Sequence, residues 1–120
     1  MTIEIVDLGG IIVRLIVSDS SGNFADETTG FDEPQSYFDG AGYMGAIVGR
    51  YANRIANGEF SIDGIGYHLA KNNGDNSIHG GLAGFDKKIW NADHLTLSDE
   101  VKLTLSTSSS DGEECYPGRV

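Results

Sequence analysis

Glu59-Phe60-Ser61-Ile62-Asp63-Gly64-Ile65-Gly66-Tyr67-His68-Leu69 carries the sharpest local signal in the sequence. Asp63-Gly64 separates two short alternating runs, and such a pair favours a two-residue hairpin turn because both central residues can take positive φ. With Ile62 opposite Ile65, parity puts Phe60, Ile62, Ile65, Tyr67 and Leu69 on one face and Glu59, Ser61, Gly66 and His68 on the other. The pattern predicts one buried face and one wet one. The same grammar extends outward. Ile3-Glu4-Ile5-Val6-Asp7-Leu8 and Ile11-Ile12-Val13-Arg14-Leu15-Ile16-Val17, split by Gly9-Gly10, read as neighbouring strands. Toward the other end, Ile89 to Leu97 and Val101 to Ser106 form a last pair, with Val101, Leu103 and Leu105 alternating against Lys102, Thr104 and Ser106. Between the first and second pairs, Asp19-Ser20-Ser21-Gly22-Asn23 supplies turn formers, and the acidic stretch on to Asp39 reads as a long surface loop. The expected fold is all-β, an antiparallel β-sandwich.

Composition narrows the function. At 120 residues the chain fits one domain with a modest core. Eight Lys and Arg against eighteen Asp and Glu give a formal charge of −10, the wrong sign for neutralising phosphates or anionic membrane surfaces. No nucleic acid and no membrane is expected as a partner, and no apolar run approaches the ~20 residues a membrane span needs. Met1-Thr2-Ile3-Glu4 enters an alternating pattern directly, without a basic segment followed by an apolar one, so a soluble, cytoplasmic protein is expected. The lone Cys115 cannot form an internal disulfide. Seventeen glycines, twice average usage, argue for many turns and few long helices.

Gly40-Ala41-Gly42-Tyr43-Met44-Gly45 spells the glycine pattern of a dinucleotide loop, and Ile47, Val48, Tyr51, Ala52 and Ile55 could line one face of a following helix. That chemistry needs a buried parallel strand leading into the loop, and Asp32-Glu33-Pro34-Gln35-Ser36-Tyr37-Phe38-Asp39 cannot be one. A turn before a strand is the preferred reading. Asn72-Asn73-Gly74-Asp75-Asn76-Ser77-Ile78-His79-Gly80-Gly81 is a polar loop rich in amides that can meet sugar hydroxyls, although loops of this composition are ordinarily structural, their Asx side chains capping their own backbone. His79 favours the first, since flanking glycines permit close ligand approach and imidazole can donate or accept. His68 and His94 have no such setting, no two histidines stand at a metal-ligand spacing, and the acidic stretch does not fit a calcium loop, so no metal is expected. Cys115 follows Glu113-Glu114, a setting that disfavours a thiolate. Arg50 and Arg54 fall within Gly49-Arg50-Tyr51-Ala52-Asn53-Arg54-Ile55-Ala56; the residues alone leave open whether these guanidinium forks meet ligand oxygens or the surplus carboxylates.

Gly45-Ala46-Ile47-Val48-Gly49-Arg50-Tyr51-Ala52-Asn53-Arg54-Ile55-Ala56-Asn57-Gly58-Glu59-Phe60, Asn76-Ser77-Ile78-His79-Gly80-Gly81, Gly84-Phe85-Asp86 with Trp90, and Asp111-Gly112-Glu113-Glu114-Cys115-Tyr116-Pro117-Gly118 together resemble the N-terminal part of the aldose 1-epimerase (galactose mutarotase) family. The resemblance runs along nearly the whole chain. It implies the family's large antiparallel β-sandwich, or supersandwich, of which residues 1–120 would be the N-terminal part, and interconversion of the α and β anomers of galactose, glucose and similar aldoses without a cofactor. Carried over by position, Asn53, Arg54 and His79 resemble the family's substrate-binding residues. The family's acid histidine, in an Asn-His-x-Tyr-x-Asn-Leu type segment, and its glutamate base belong beyond the matched stretch. No catalytic residue is therefore assigned within these 120 residues, a missing C-terminal portion is the implied partner, and the chain alone is expected to be inactive. Cys115 replaces a usual glycine and Leu8 a usual tyrosine. A non-catalytic carbohydrate-binding module using Asn53, Arg54, His79 and the Trp90 ring is the alternative.

Overall fold

A computed structural model describes residues 1–33, 35–39 and 42–120. Pro34, Gly40 and Ala41 fall outside the described residues, and with them the first two residues of the Gly40–Gly45 pattern. Beyond that pattern the chain runs through turns, bends and irregular backbone as far as Asn53, without the helix that a dinucleotide loop would open.

The protein is all-β. Strands β1 (Thr2–Val6), β2 (Ile11–Ser18) and β3 (Phe24–Asp26) form an antiparallel sheet in that order, with a register irregularity between Glu4 and Ile5. The third strand lies inside the segment read from sequence as a loop. It forms because Asp19 gathers the turn onto its carboxylate: Ser21 and Asn23 backbone N–H groups donate to Oδ1 at 2.8 and 2.9 Å, and Asn23 Nδ2 donates to Oδ2 at 3.1 Å. The turn folds the chain back, and Phe24 to Asp26 pair with Ser18 to Ile16. The same bonds, that from the Asn23 side chain foremost, hold the Asp19 carboxyl below its ordinary pKa. A single helical turn, α1 (Gln35–Phe38), sits further on.

The Asp63-Gly64 hairpin forms as its sequence dictates. β5 (Glu59–Ile62) and β6 (Ile65–His68) pair Ile62 with Ile65 and Phe60 with Tyr67, and Asp63 and Gly64 take φ of 51° and 80°. The burial differs from the expectation. Leu69 is buried and Phe60 and Tyr67 are half-buried, yet Ile62 and Ile65 are 48% and 60% exposed. β8 (Asn91–Thr96) and β9 (Val101–Ser106) pair as expected, with Asn91 opposite Ser106 and Thr96 opposite Val101, but leave Val101 and Leu103 largely open. A two-residue ladder, β4 (Arg54–Ile55) with β7 (Ser77–Ile78), completes four separate small sheets among the described residues.

The core is small. Ile11, Leu69, Ile78 and Tyr116 are the apolar side chains buried to less than a tenth exposure among the described residues. The radius of gyration, 17.3 Å, exceeds the ~13.6 Å of a compact 120-residue unit, so the chain does not close around an interior of its own. The sheets are held by a hub at the β1–β2 turn. Gly9 N–H donates to the Lys88 carbonyl at 2.7 Å, Ile47 N–H to the Gly9 carbonyl at 2.9 Å, Ile12 N–H to the Gly45 carbonyl at 3.0 Å and Trp90 N–H to the Asp7 carbonyl at 2.9 Å. Among the described residues no helix is long and apolar enough to cross a membrane.

Candidate functional site

The β4–β7 ladder builds the site. It pairs Arg54 with Ile78 and so sets Asn53, one residue before β4, beside His79, one residue after β7. The two are locked by reciprocal bonds: the Asn53 backbone N–H donates to His79 Nδ1 at 3.1 Å, and the His79 N–H donates to the Asn53 carbonyl at 3.2 Å. Both residues take left-handed φ, 69° for Asn53 and 52° for His79. Asparagine tolerates that region well and histidine better than most, which suits the residue types to the two corners. Asn53 Oδ1 then accepts from the Arg54 backbone N–H at 2.9 Å and from Nη1 at 3.4 Å, while Arg54 Nε donates to Asn73 Oδ1 at 2.7 Å. Asn53, Arg54 and His79 thus form one continuous surface, with Asn53 touching both others.

Three asparagines of the loop turn their amides inward. Asn72 Nδ2 donates to the carbonyls of Ile78 and Gly81 at 3.0 and 2.7 Å, and its Oδ1 accepts from Ile78 N–H at 2.7 Å. Asn73 holds Arg54, and Asn76 Oδ1 accepts from Asn57 N–H at 3.3 Å. These amides serve the loop's own architecture and its junction with Arg54 and Asn57. The glycines beside it also have a packing role. A Cβ at Gly80, whose φ is 93°, would overlap the Gly49 carbonyl oxygen, so this position admits no side chain.

Chemically, the surface is a set of donors. His79 Nδ1 accepts, so in the neutral imidazole the proton sits on Nε2. Among the described residues, His79 Nε2, Arg54 Nη2 and Asn53 Nδ2 find no protein acceptor, and they match the lone pairs of hydroxyl or ring oxygens. Neither Arg54 nor Arg50 pairs with a carboxylate among the described residues. Arg50 is structural: Nε donates to Ser109 Oγ at 2.8 Å, and Nη1 and Nη2 donate to the carbonyls of Pro117, Gly118 and Ser110. Trp90 is half-buried, meets Phe85 edge-on at 5.8 Å and donates from Nε1 to the Phe85 carbonyl at 3.1 Å, which fits packing rather than stacking on a ligand. His68 lies on the exposed hairpin face, 3.5 Å from Glu59. Cys115 is exposed.

Sequence reasoning missed Tyr43, which is legible there only as a filler of the glycine pattern. Its ring lies against the His79 imidazole with centroids 4.5 Å apart and planes tilted by 53°. Cavities flank the site. One of about 490 Å³ opens between Arg50, Tyr51, Ile55, Phe60, Tyr116 and Val120; another of about 380 Å³ lies between Leu8, Tyr37, Phe38, Tyr43, Asp86 and Lys87. No group of three or more His, Cys, Asp or Glu side chains gathers into a metal-binding cluster among the described residues.

The family model for aldose 1-epimerase matches residues 1–120. The chain is similar to galactose mutarotase of Bos taurus, 47% identical over all 120 residues but over 34% of that protein's length, and to aldose 1-epimerase of Escherichia coli strain K12, 33% identical with the same coverages. Its fold superimposes on a crystal structure of an aldose epimerase homologue from C. elegans with a TM-score of 0.84 and 28% identity, covering 98% of this chain and 35% of that one. Galactose 1-epimerase from Lactobacillus acidophilus NCFM gives 0.82 and 26%, covering 98% and 33%. The chain spans about a third of the length of these relatives, and it belongs to the aldose 1-epimerase family.

Proposed function

We propose that residues 1–120 form the N-terminal part of an aldose 1-epimerase domain and supply its sugar-gripping surface, Asn53, Arg54 and His79, for interconversion of the anomers of galactose, glucose or a similar aldose. The observation that carries this reading is the Asn53 backbone N–H bonded to His79 Nδ1, which leaves Nε2–H free as a donor while Asn53 Oδ1 accepts from the Arg54 guanidinium. Epimerisation requires a base for the anomeric hydroxyl proton and an acid for the ring oxygen, after which the ring opens, the C1–C2 bond turns and the ring closes on the other face. No carboxylate among the described residues bonds to Asn53, Arg54 or His79, and the polar groups these three leave open are donors. In this reading the proton-transfer pair comes from the part of the family's domain that these residues do not span.

Polarimetry of galactose mutarotation tests it. The purified 120-residue chain is expected to leave the rate at that of buffer; acceleration would show that the indispensable groups lie within residues 1–120. The donor-only surface also favours a second reading, a carbohydrate-binding module without turnover. Calorimetric titration separates the two: saturable galactose binding at full strength by the chain alone supports the module, whereas binding that tightens when the remaining two thirds of a relative's domain is added supports the enzyme part.

A further inference from the structure

His79 is held at Nδ1 by one backbone bond, and a single bond leaves the imidazole free to tilt about it. A second restraint comes from Tyr43, whose ring packs on the imidazole at 4.5 Å. Tyr43 is itself fixed from beyond. Lys87 Nζ lies 5.5 Å from the Tyr43 ring centroid, within the range in which a ring's electron-rich face attracts a cation. Lys87 Nζ in turn donates to Asp86 Oδ2 at 2.9 Å, and the Asp86 side chain is only 8% exposed, so the anchor at the end of the row is a buried carboxylate. Four side chains therefore stand in series: Asp86, Lys87, Tyr43, His79. The Tyr43 hydroxyl has no hydrogen-bond partner among the described residues, so the ring plane is the part in use.

We propose that Tyr43 is a positioning residue for the sugar site: backed by the Asp86–Lys87 pair, its ring clamps the His79 imidazole in the orientation and tautomer that leave Nε2–H free as a donor. The inference rests on the sugar-binding reading of His79 for its purpose, but the clamp itself can be observed without sugar. An imidazole held this way keeps its Nδ1 bond and with it a single tautomer, whereas one hinged on that bond alone breaks it more often, samples both tautomers while it is broken and loses part of its donor strength toward a ligand oxygen. An aromatic contact of this kind is worth about 3- to 10-fold in a binding constant.

The test uses the intact 120-residue chain labelled with ¹⁵N at histidine. In the unliganded protein at neutral pH, His79 should show the shift pattern of an imidazole protonated at Nε2 alone. Tyr43→Leu should move both nitrogens toward the tautomer average, and Tyr43→Phe, which keeps the plane and drops the hydroxyl, should restore the original pattern. Lys87→Met should give a smaller displacement in the same direction, and it carries the test if Tyr43→Leu does not fold. Signals unchanged in Tyr43→Leu, or in Lys87→Met where that variant is read instead, overturn the clamp, as does failure of Tyr43→Phe to restore them. Galactose titration of the same samples is read separately. A wild-type His79 that is clamped yet indifferent to galactose refutes the sugar reading and leaves the clamp standing; a variant that binds about 3- to 10-fold more weakly connects the two.

Discussion

Replacing Asn72 with alanine should loosen the end of the loop that presents His79. Asn72 is half-buried and makes three bonds to the backbone around the histidine, donating to the Ile78 and Gly81 carbonyls and accepting from Ile78 N–H. Alanine removes all three. The Ile78 carbonyl keeps a second partner, since Gly81 N–H donates to it at 3.2 Å, but Ile78 N–H and the Gly81 carbonyl are left unpaired in buried residues. Each such orphan costs about 1–3 kcal/mol, so a local loss of about 3 kcal/mol is a conservative sum. Amide hydrogen exchange reads this directly, because Ile78 N–H is protected by the very bond removed. A cost of about 3 kcal/mol lowers its protection roughly 100-fold, with a parallel loss at His79 N–H and little change at Ile62 or Ile65 in the separate hairpin. Asn72→Asp should behave almost as badly: it keeps the acceptor for Ile78 N–H but sets a carboxylate against two carbonyls. Protection at Ile78 within about threefold of wild type in Asn72→Ala would refute the claim that this side chain organises the loop.

Arg50→Met removes the clamp on residues 109–118 and should lower the protection of the mutually bonded Ser109 and Val120 amides by roughly 30-fold, the equivalent of about 2 kcal/mol; unchanged exchange would mean that the guanidinium bonds add nothing. The Glu113 carboxyl is held below its ordinary pKa, chiefly by the hydrogen bond from Lys88 Nζ. A depressed folded pKa contributes stability that is present above the unfolded value and lost as pH falls through the folded one, so the junction of Lys88 with residues 108–113 should loosen only below the ordinary glutamate range. Carboxyl ¹³C titration should show that low midpoint and its return toward 4.5 in Lys88→Met, and equal midpoints in the two proteins would contradict the assignment. Burial pushes the Tyr116 phenol above 10.0, so a pH titration of its ring signals by NMR should show a midpoint above the ordinary phenol value, and a midpoint at or below 10.0 would contradict the burial; the associated stability is full below the unfolded value and is lost as pH rises through the folded one.

Local chemistry made much of the fold readable from the residues. Asp63-Gly64 fixed a register that parity could count, and the hairpin has those pairs. Alternation likewise located β8 and β9 to within two residues. What alternation does not say is whether anything covers the apolar face. Ile62, Ile65, Val101 and Leu103 follow the pattern of a buried side and stand exposed in this chain, because its own residues do not reach over them. β3 escaped notice for a different reason: Phe24-Ala25-Asp26 is too short for a period, and it is the Asp19 turn that returns it to β2. At the site, Asn53, Arg54 and His79 were visible through their place in a motif, and the β4–β7 ladder brings them into one surface. The capping of the loop's own backbone by Asn72 was among the readings the residues offered, whereas the bond from Arg54 to Asn73 and the packing of Tyr43 on His79 were not legible, since both depend on segments distant in sequence meeting in space.

The account turns on whether Asn53, Arg54 and His79 act together on a sugar. Titrating the ¹⁵N-labelled chain with galactose should produce saturable shifts concentrated at the Asn53 backbone amide, Arg54 Nε and the His79 imidazole, and Arg54→Met should weaken them severalfold without unfolding the protein. If those three signals stay still while the fold remains intact, or if galactose moves residues around the Tyr116 cavity instead, the sugar-gripping surface is not where this structure puts it.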